Sequence, residues 1–225
     1  SGDHPLQPAA ARLQGKDYVL VSDGSRVLAF DPSRVKGASP TAGMYWKYPP
    51  DRAVARALPS PQNPNQMPMP RVNVGLTVSG DRVFAPLRSR LEVRPRDGTP
   101  PNDTFDGPTS IKCLHIPTGR LIWDTDLKPL IEELQSVGGK FAERNFAYCG
   151  APLVSGDRVF IPVCSSPAGE QESWVLCLDA RSGRPLWSTL LATIPSMQGM
   201  WGQGRPTLYQ TTLAEAEGLL FAQSN

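Results

Sequence analysis

The cysteines are the first candidates for chemistry in this 225-residue chain, and there are four of them. Cys149 and Cys164 flank the dipeptide Gly156-Asp157. A two-residue turn at that dipeptide would set the two thiols on directly opposed positions of neighbouring strands, within disulfide reach. The same register puts the pair at a hydrogen-bonded site, which suits bridging less well, and it puts Pro162 where a strand wants an N–H. Bridged and free thiols both stay open. Cys113 and Cys177 sit inside apolar runs and are expected to be inert core thiols. No Cys-x-x-Cys-His sequence is present to attach haem. The two histidines, His4 and His115, assemble no zinc site at the usual ligand spacing. Arg88, Arg90, Arg94 and Arg96 fall on one side of a segment read as extended. They would suit an anionic ligand, or equally a solvated arm partly neutralised by Glu92 and Asp97.

These residues must be positioned by a frame, and the frame is a repeat. Cys113-Leu114-His115-Ile116-Pro117-Thr118-Gly119-Arg120-Leu121-Ile122-Trp123 aligns without a gap to Cys177-Leu178-Asp179-Ala180-Arg181-Ser182-Gly183-Arg184-Pro185-Leu186-Trp187. In both, Trp follows Gly by four positions. Ala29-Phe30-Asp31-Pro32, with Met44–Tyr48 as its partner strand, is a third and looser copy, carrying an insertion at 33–42. Upstream, Val78-Ser79-Gly80-Asp81-Arg82-Val83-Phe84 recurs as Val154-Ser155-Gly156-Asp157-Arg158-Val159-Phe160. A seven-residue identity beside a second matched motif marks a true internal repeat.

Each piece reads physically. The seven-residue element is a hairpin, with β-branched and aromatic flanks around a turn whose glycine supplies a positive φ. Thr118-Gly119 and Ser182-Gly183 form a second tight turn, across which Asp179 can accept backbone N–H bonds. The closing Trp46, Trp123 and Trp187 each bring a large apolar ring and one N–H donor, which suits docking against a neighbouring sheet. A unit is therefore expected to be four antiparallel strands, A to D, closed by a docking tryptophan.

The Asp-x-x-Ser/Thr-Gly-x-x-x-Trp pattern resembles the tryptophan-docking repeat of the pyrroloquinoline-quinone-like, or quinoprotein alcohol dehydrogenase-like, β-propeller family. The resemblance is closest over 174–190, good over 111–127 and weak over 17–48, and His115 stands where the pattern has Asp. It implies an all-β fold made of four-stranded antiparallel propeller blades. The blades are expected at about 17–49, 72–127 and 148–191, with the start of a fourth at 206–225: an incomplete propeller whose remaining blades would be further partners of this piece. Alone, such a piece is expected to self-associate or stay partly unfolded, because unpaired edges template association.

In a four-stranded meander the B–C and D–A connections leave from one end. The long connections fall there: 50–71, 88–110, 128–146 and 192–205. A partner protein or small ligand is therefore expected on that face. A short helix is expected over Pro129–Gln135, from the spacing of Leu130, Ile131 and Leu134. The segment holding Met197, Met200 and Trp201 among glycines suits either a promiscuous binding surface or a plug for the central channel.

The family's enzymes hold calcium with Glu, Asn and Asp, and Glu143 and Asn145 lie on the proposed face, yet nothing else marks them as ligands. The vicinal cysteine pair of the family's dehydrogenases is not in this sequence. We therefore expect no cofactor here and read the chain as a non-enzymatic binding or scaffolding module. The alternatives are a quinone-dependent alcohol or sugar dehydrogenase, and a propeller similar to the bacterial outer-membrane assembly lipoprotein. The resemblance implies a bacterial, periplasmic or cell-envelope setting.

Composition agrees with a globular protein: 40% of residues are hydrophobic and 20% charged, and 24 prolines and 20 glycines punctuate short apolar runs. A net charge of +2 is too small to point to nucleic acid or an anionic membrane. No apolar run approaches the roughly 18 residues that span a bilayer. The polar start, Ser1-Gly2-Asp3-His4, has no signal-peptide core, so the natural N-terminus is expected to lie upstream.

Overall fold

A computed structural model describes residues 8–24, 26–34, 42–50, 75–87, 110–136, 146–165, 170–195 and 211–224. They form antiparallel sheets that follow one another along the chain. The first holds β1 (Ala9–Leu13), β2 (Lys16–Ser22), β3 (Val27–Phe30) and β4 (Met44–Tyr48), in that order across the sheet. It begins at Ala9, ahead of the first recognisable repeat residue, Asp17. The second holds β5 (Thr77–Ser79), β6 (Arg82–Leu87), β7 (Ser110–His115) and β8 (Leu121–Asp126). After α1 (Leu127–Ser136) and β9 (Phe146–Tyr148) comes the third, β10 (Leu153–Ser155), β11 (Arg158–Ser165), β12 (Glu170–Asp179) and β13 (Pro185–Pro195), with β9 also paired to β11. The hairpin of β14 (Thr211–Ala216) and β15 (Leu219–Ser224) is the fourth. The expected all-β class and the A-to-D order of strands are present.

Side-chain alternation decides how the sheets stack. Along β6, Val83, Ala85 and Leu87 face the first sheet and join Tyr18, Leu20, Val27 and Ala29 in one core. Phe84 between them faces the third sheet, with Ile111, Cys113 and Trp123. The third sheet repeats the division. Val159, Ile161, Val163, Leu176 and Leu178 look back to the second sheet, while Phe160, Val175 and Cys177 look toward Leu213 and Leu220 of the fourth. Stretches covered on both faces read as continuous apolar runs, which is why Val83–Leu87 of β6 and Trp174–Leu178 of β12 lack a polar alternate. Each such side chain contributes roughly 1.5–3 kcal/mol on burial, so a one-residue slip would misplace both cores at once.

The helix expected over 129–135 is present as α1. Leu127, Leu130 and Ile131 are buried in the core between the second and third sheets, whereas Glu132 and Glu133 are exposed. Pro129 falls in the first turn, where a missing N–H is tolerated. Among the described residues no helix is long and apolar enough to cross a membrane.

One device recurs that the repeat alignment had not disclosed. In each of the first three sheets the last strand bulges just before its tryptophan. Ala29 pairs with Trp46 but Phe30 with Met44; Cys113 pairs with Trp123 but Leu114 with Leu121; Cys177 pairs with Trp187 but Leu178 with Pro185. The extra residues, Tyr45, Ile122 and Leu186, sharpen the local twist and re-aim the ring that follows.

Candidate functional site

The best-defined constellation is the junction between successive sheets, built by the tryptophans and glycines of the repeat. The row Phe84–Cys113–Trp123 crosses three strands, and Phe160–Cys177–Trp187 repeats it. In the first sheet the row is Leu20–Ala29–Trp46. The middle residue is small because a ring flanks it: the Phe84 and Trp123 ring centroids lie 5.8 Å apart, and those of Phe160 and Trp187 also 5.8 Å. Cys113 and Cys177 fill that gap. Burial pushes the Cys113 thiol up to about 12 and the Cys177 thiol up to about 11, so both stay protonated and unreactive at neutral pH.

Trp46 and Trp123 then each reach the next sheet. Trp46 Nε1 donates to the Ile116 carbonyl at 2.6 Å, and Trp123 Nε1 donates to the Ala180 carbonyl at 3.1 Å. Ile116 and Ala180 hold the same repeat position, one residue past the end of strand C. The rings lie on Gly119 and Gly183. A Cβ on Gly119 would stand 2.6 Å from Trp46 Cδ2, and one on Gly183 would stand 2.7 Å from Trp123 Cε3. Glycine is thus required twice over, for the close ring and for φ values of 67° and 73°.

The turn that presents the carbonyl is held from beneath. Asp179 Oδ1 accepts from the Ser182 hydroxyl at 2.6 Å, the Ser182 N–H at 2.8 Å and the Arg181 N–H at 3.1 Å. Ser182, through its hydroxyl and then its N–H, holds the Asp179 carboxyl below the usual carboxylate range. Asp31 is lowered in the same way, first by the Ser33 hydroxyl, which it accepts at 2.6 Å. His115, the departure from the pattern, substitutes a ring nitrogen: its Nδ1 lies 2.8 Å from Thr118 Oγ1, and its Nε2 lies 3.5 Å from Asp81 Oδ2.

Sequence reasoning missed one participant. Arg82 of the repeated hairpin donates through Nη1 to the Ala180 carbonyl at 3.0 Å, the oxygen that also receives Trp123. The carbonyls of Asp81 and Asp157 accept the N–H groups of Ile116 and Ala180, both at 2.8 Å. The identity of the two hairpins was the available signal: a turn alone needs Gly-Asp, not the following Arg. Trp187 shares the register, the bulge and the phenylalanine partner of Trp123, but its outer face differs. Trp123 is 8% exposed and Trp187 36%.

The second constellation is Cys149 with Cys164. The register set by the Gly156-Asp157 turn holds through Leu153↔Phe160, then shifts by two, so that Cys164 lies opposite Ala147. Cys149 instead donates its N–H to the Pro162 carbonyl at 3.1 Å. Pro162 has no N–H to return, and the Cys149 carbonyl accepts from Thr211 of β14 at 2.9 Å. Directly opposed cysteines are thus replaced by a diagonal pair, and all four cysteines are free and buried. Two buried hydroxyls nearby, Tyr148 Oη and Ser173 Oγ, have no hydrogen-bond partner among the described residues. Burial pushes the Tyr148 phenol well above its usual range.

Arg88, Arg90, Glu143, Asn145, Met197, Met200 and Trp201 lie outside the described residues. Among the described residues no group of three or more His, Cys, Asp or Glu side chains is placed to hold a metal ion. No protein-family model matches the chain, and no curated protein matches it.

Proposed function

We propose that this chain is part of a quinoprotein-like β-propeller that works as a binding or scaffolding module. The observation that carries this reading is the repeated junction, in which a tryptophan of one sheet seats on the glycine turn of the next. It is supported by contacts at the opposite edge: β1 touches β5, β5 touches β10 and β10 touches β14. First strands gathered together, with last strands joined by indole docking, suit sheets arranged radially about an axis. Such a frame is rigid across the first three sheets, since each of these is held to its neighbour at both edges.

Binding belongs on the end from which the B–C and D–A connections leave, because long connections on a rigid frame supply adaptable contacts. A protein or small ligand would be taken up there, and the resemblance would put the protein in the periplasm or cell envelope. Titration of the intact protein with pyrroloquinoline quinone and calcium, followed by calorimetry and absorbance, should show no binding. Stoichiometric uptake would overturn the scaffolding reading in favour of a dehydrogenase. Solution scattering from the same sample should fit a closed disc; an extended particle would remove the propeller.

A further inference from the structure

We propose that another sheet covers the back of the first sheet by face-to-face packing alone, with no tryptophan docked there, which on the propeller reading above makes the first sheet the seam of the ring. Each junction from the first sheet to the third has two parts. An apolar back face is covered by the preceding sheet, and a turn receives that sheet's indole. The first sheet has the face without the turn.

Pairing between its second and third strands defines the face. Val19 pairs with Phe30 as Val83 pairs with Leu114 and Val159 with Leu178. Val83 and Leu114 are fully buried against the first sheet, and Val159 and Leu178 against the second. Val19 and Phe30, with Val21 and Leu28 beside them, are also apolar but only partly buried. Tyr18, Leu20, Val27 and Ala29 point the other way and already meet the second sheet. The back of the first sheet is thus built like the covered backs of the second and third. By continuity with those two junctions, the occupant it fits is the apolar face of another sheet of the same propeller.

The turn departs at both points that an indole uses. In the second and third sheets the acceptor carbonyls belong to Ile116 and Ala180, whose N–H groups are tied to the carbonyls of Asp81 and Asp157. The matching residue of the first sheet is Pro32, which has no N–H to give. There Ala10, Arg12, Asp17, Tyr18, Val19 and Pro32 line an open cleft of about 370 Å3. The glycine seat is changed as well. The Asp31 N–H donates to the Gly43 carbonyl as that of His115 does to Arg120 and that of Asp179 to Arg184. Gly43 therefore matches Arg120 and Arg184, and Ala42 stands where Gly119 and Gly183 lie under a ring. A Cβ on Gly119 would come within 2.6 Å of the Trp46 ring, so an alanine at this position excludes an indole seated in the same way. Gly43 offers no substitute. The Asp31 carbonyl oxygen and Arg34 Cβ would lie 2.9 Å and 3.1 Å from its added Cβ, so its own turn fills that space.

The test is thiol labelling of the intact protein, with the labelled site located by peptide mass, since all four cysteines of this chain are buried. Ala42→Cys should react with a maleimide at close to the rate of the unfolded protein. Phe30→Cys, under the covering sheet, should react roughly a hundredfold more slowly, because a covered thiol reacts only through opening. Equilibrium urea unfolding gives an independent measure: Ala42→Leu should leave the midpoint in place, and Gly119→Leu should lower it. Protection of Ala42→Cys to the degree of Phe30→Cys, or a midpoint loss for Ala42→Leu matching that of Gly119→Leu, would put a ring on this turn and overturn the seam. Rapid labelling at both positions would show that nothing covers the back face, and would overturn the propeller reading itself.

Discussion

Replacing Gly183 by alanine tests the docking junction most directly. Gly183 has φ near 73°, where an L-residue is strained by roughly 1–2 kcal/mol. The new Cβ would also stand 2.7 Å from both Trp123 Cε3 and Thr125 Oγ1. Neither neighbour can yield cheaply. Trp123 is a rigid ring, 8% exposed and anchored by its bond to Ala180, while Thr125 Oγ1 donates to the Gly183 carbonyl at 3.1 Å. Forcing an extra carbon into a filled site costs about 1–3 kcal/mol. Losing the indole bond adds about 1 kcal/mol. The sum is roughly 3–6 kcal/mol. Gly156→Ala in the same sheet is the control, because Gly156 has φ near 57° but nothing within 4 Å of its added Cβ. It should lose only the backbone share, roughly 1–2 kcal/mol. Equilibrium urea unfolding of the intact protein, followed by tryptophan fluorescence and circular dichroism, gives the difference. Equal losses for the two variants would refute the claim that the ring on Gly183 holds the sheets together.

Trp123→Ala should cost about 3–5 kcal/mol, as truncation of a buried aromatic does. Trp187→Ala in this chain should cost less, because its ring is 36% exposed; matching losses on urea unfolding would contradict the asymmetry. Asp179 is held below its unfolded value, so its contribution is complete above the ordinary carboxylate pKa of about 3.9 and is lost as pH falls through the lowered folded value. Melting temperatures of the intact protein and of Asp179→Asn should therefore converge at low pH, and a constant gap from neutral pH down to pH about 2 would show that the carboxylate charge is not what the turn uses.

Local chemistry was readable from the chain alone. Two matched motifs at fixed spacing disclosed the hairpins, the Ser/Thr-Gly turns, the closing tryptophans and the antiparallel all-β class. These depend on interactions between residues close in sequence: a turn glycine, a carboxylate capping its own turn, alternating apolar flanks. Even α1 could be placed, since Leu130 and Ile131 carry its buried face.

What the tertiary structure decided concerns residues far apart in the chain. That Arg82 shares the Ala180 carbonyl with Trp123 depends on the approach of two sheets; the matched hairpins mark the arginine but not its acceptor. The bulge before each tryptophan arises from strand pairing, which a linear spacing cannot display. The partner of Cys149 was misplaced for the same reason. Extending the Gly156-Asp157 register assumed an unbroken ladder, yet Pro162 offers no N–H to continue it, and Thr211, 62 residues further on, takes the freed carbonyl. Short-range turns follow from φ preferences and side-chain capping, whereas the pairing across a break goes to whichever distant donor the packed sheets bring within reach.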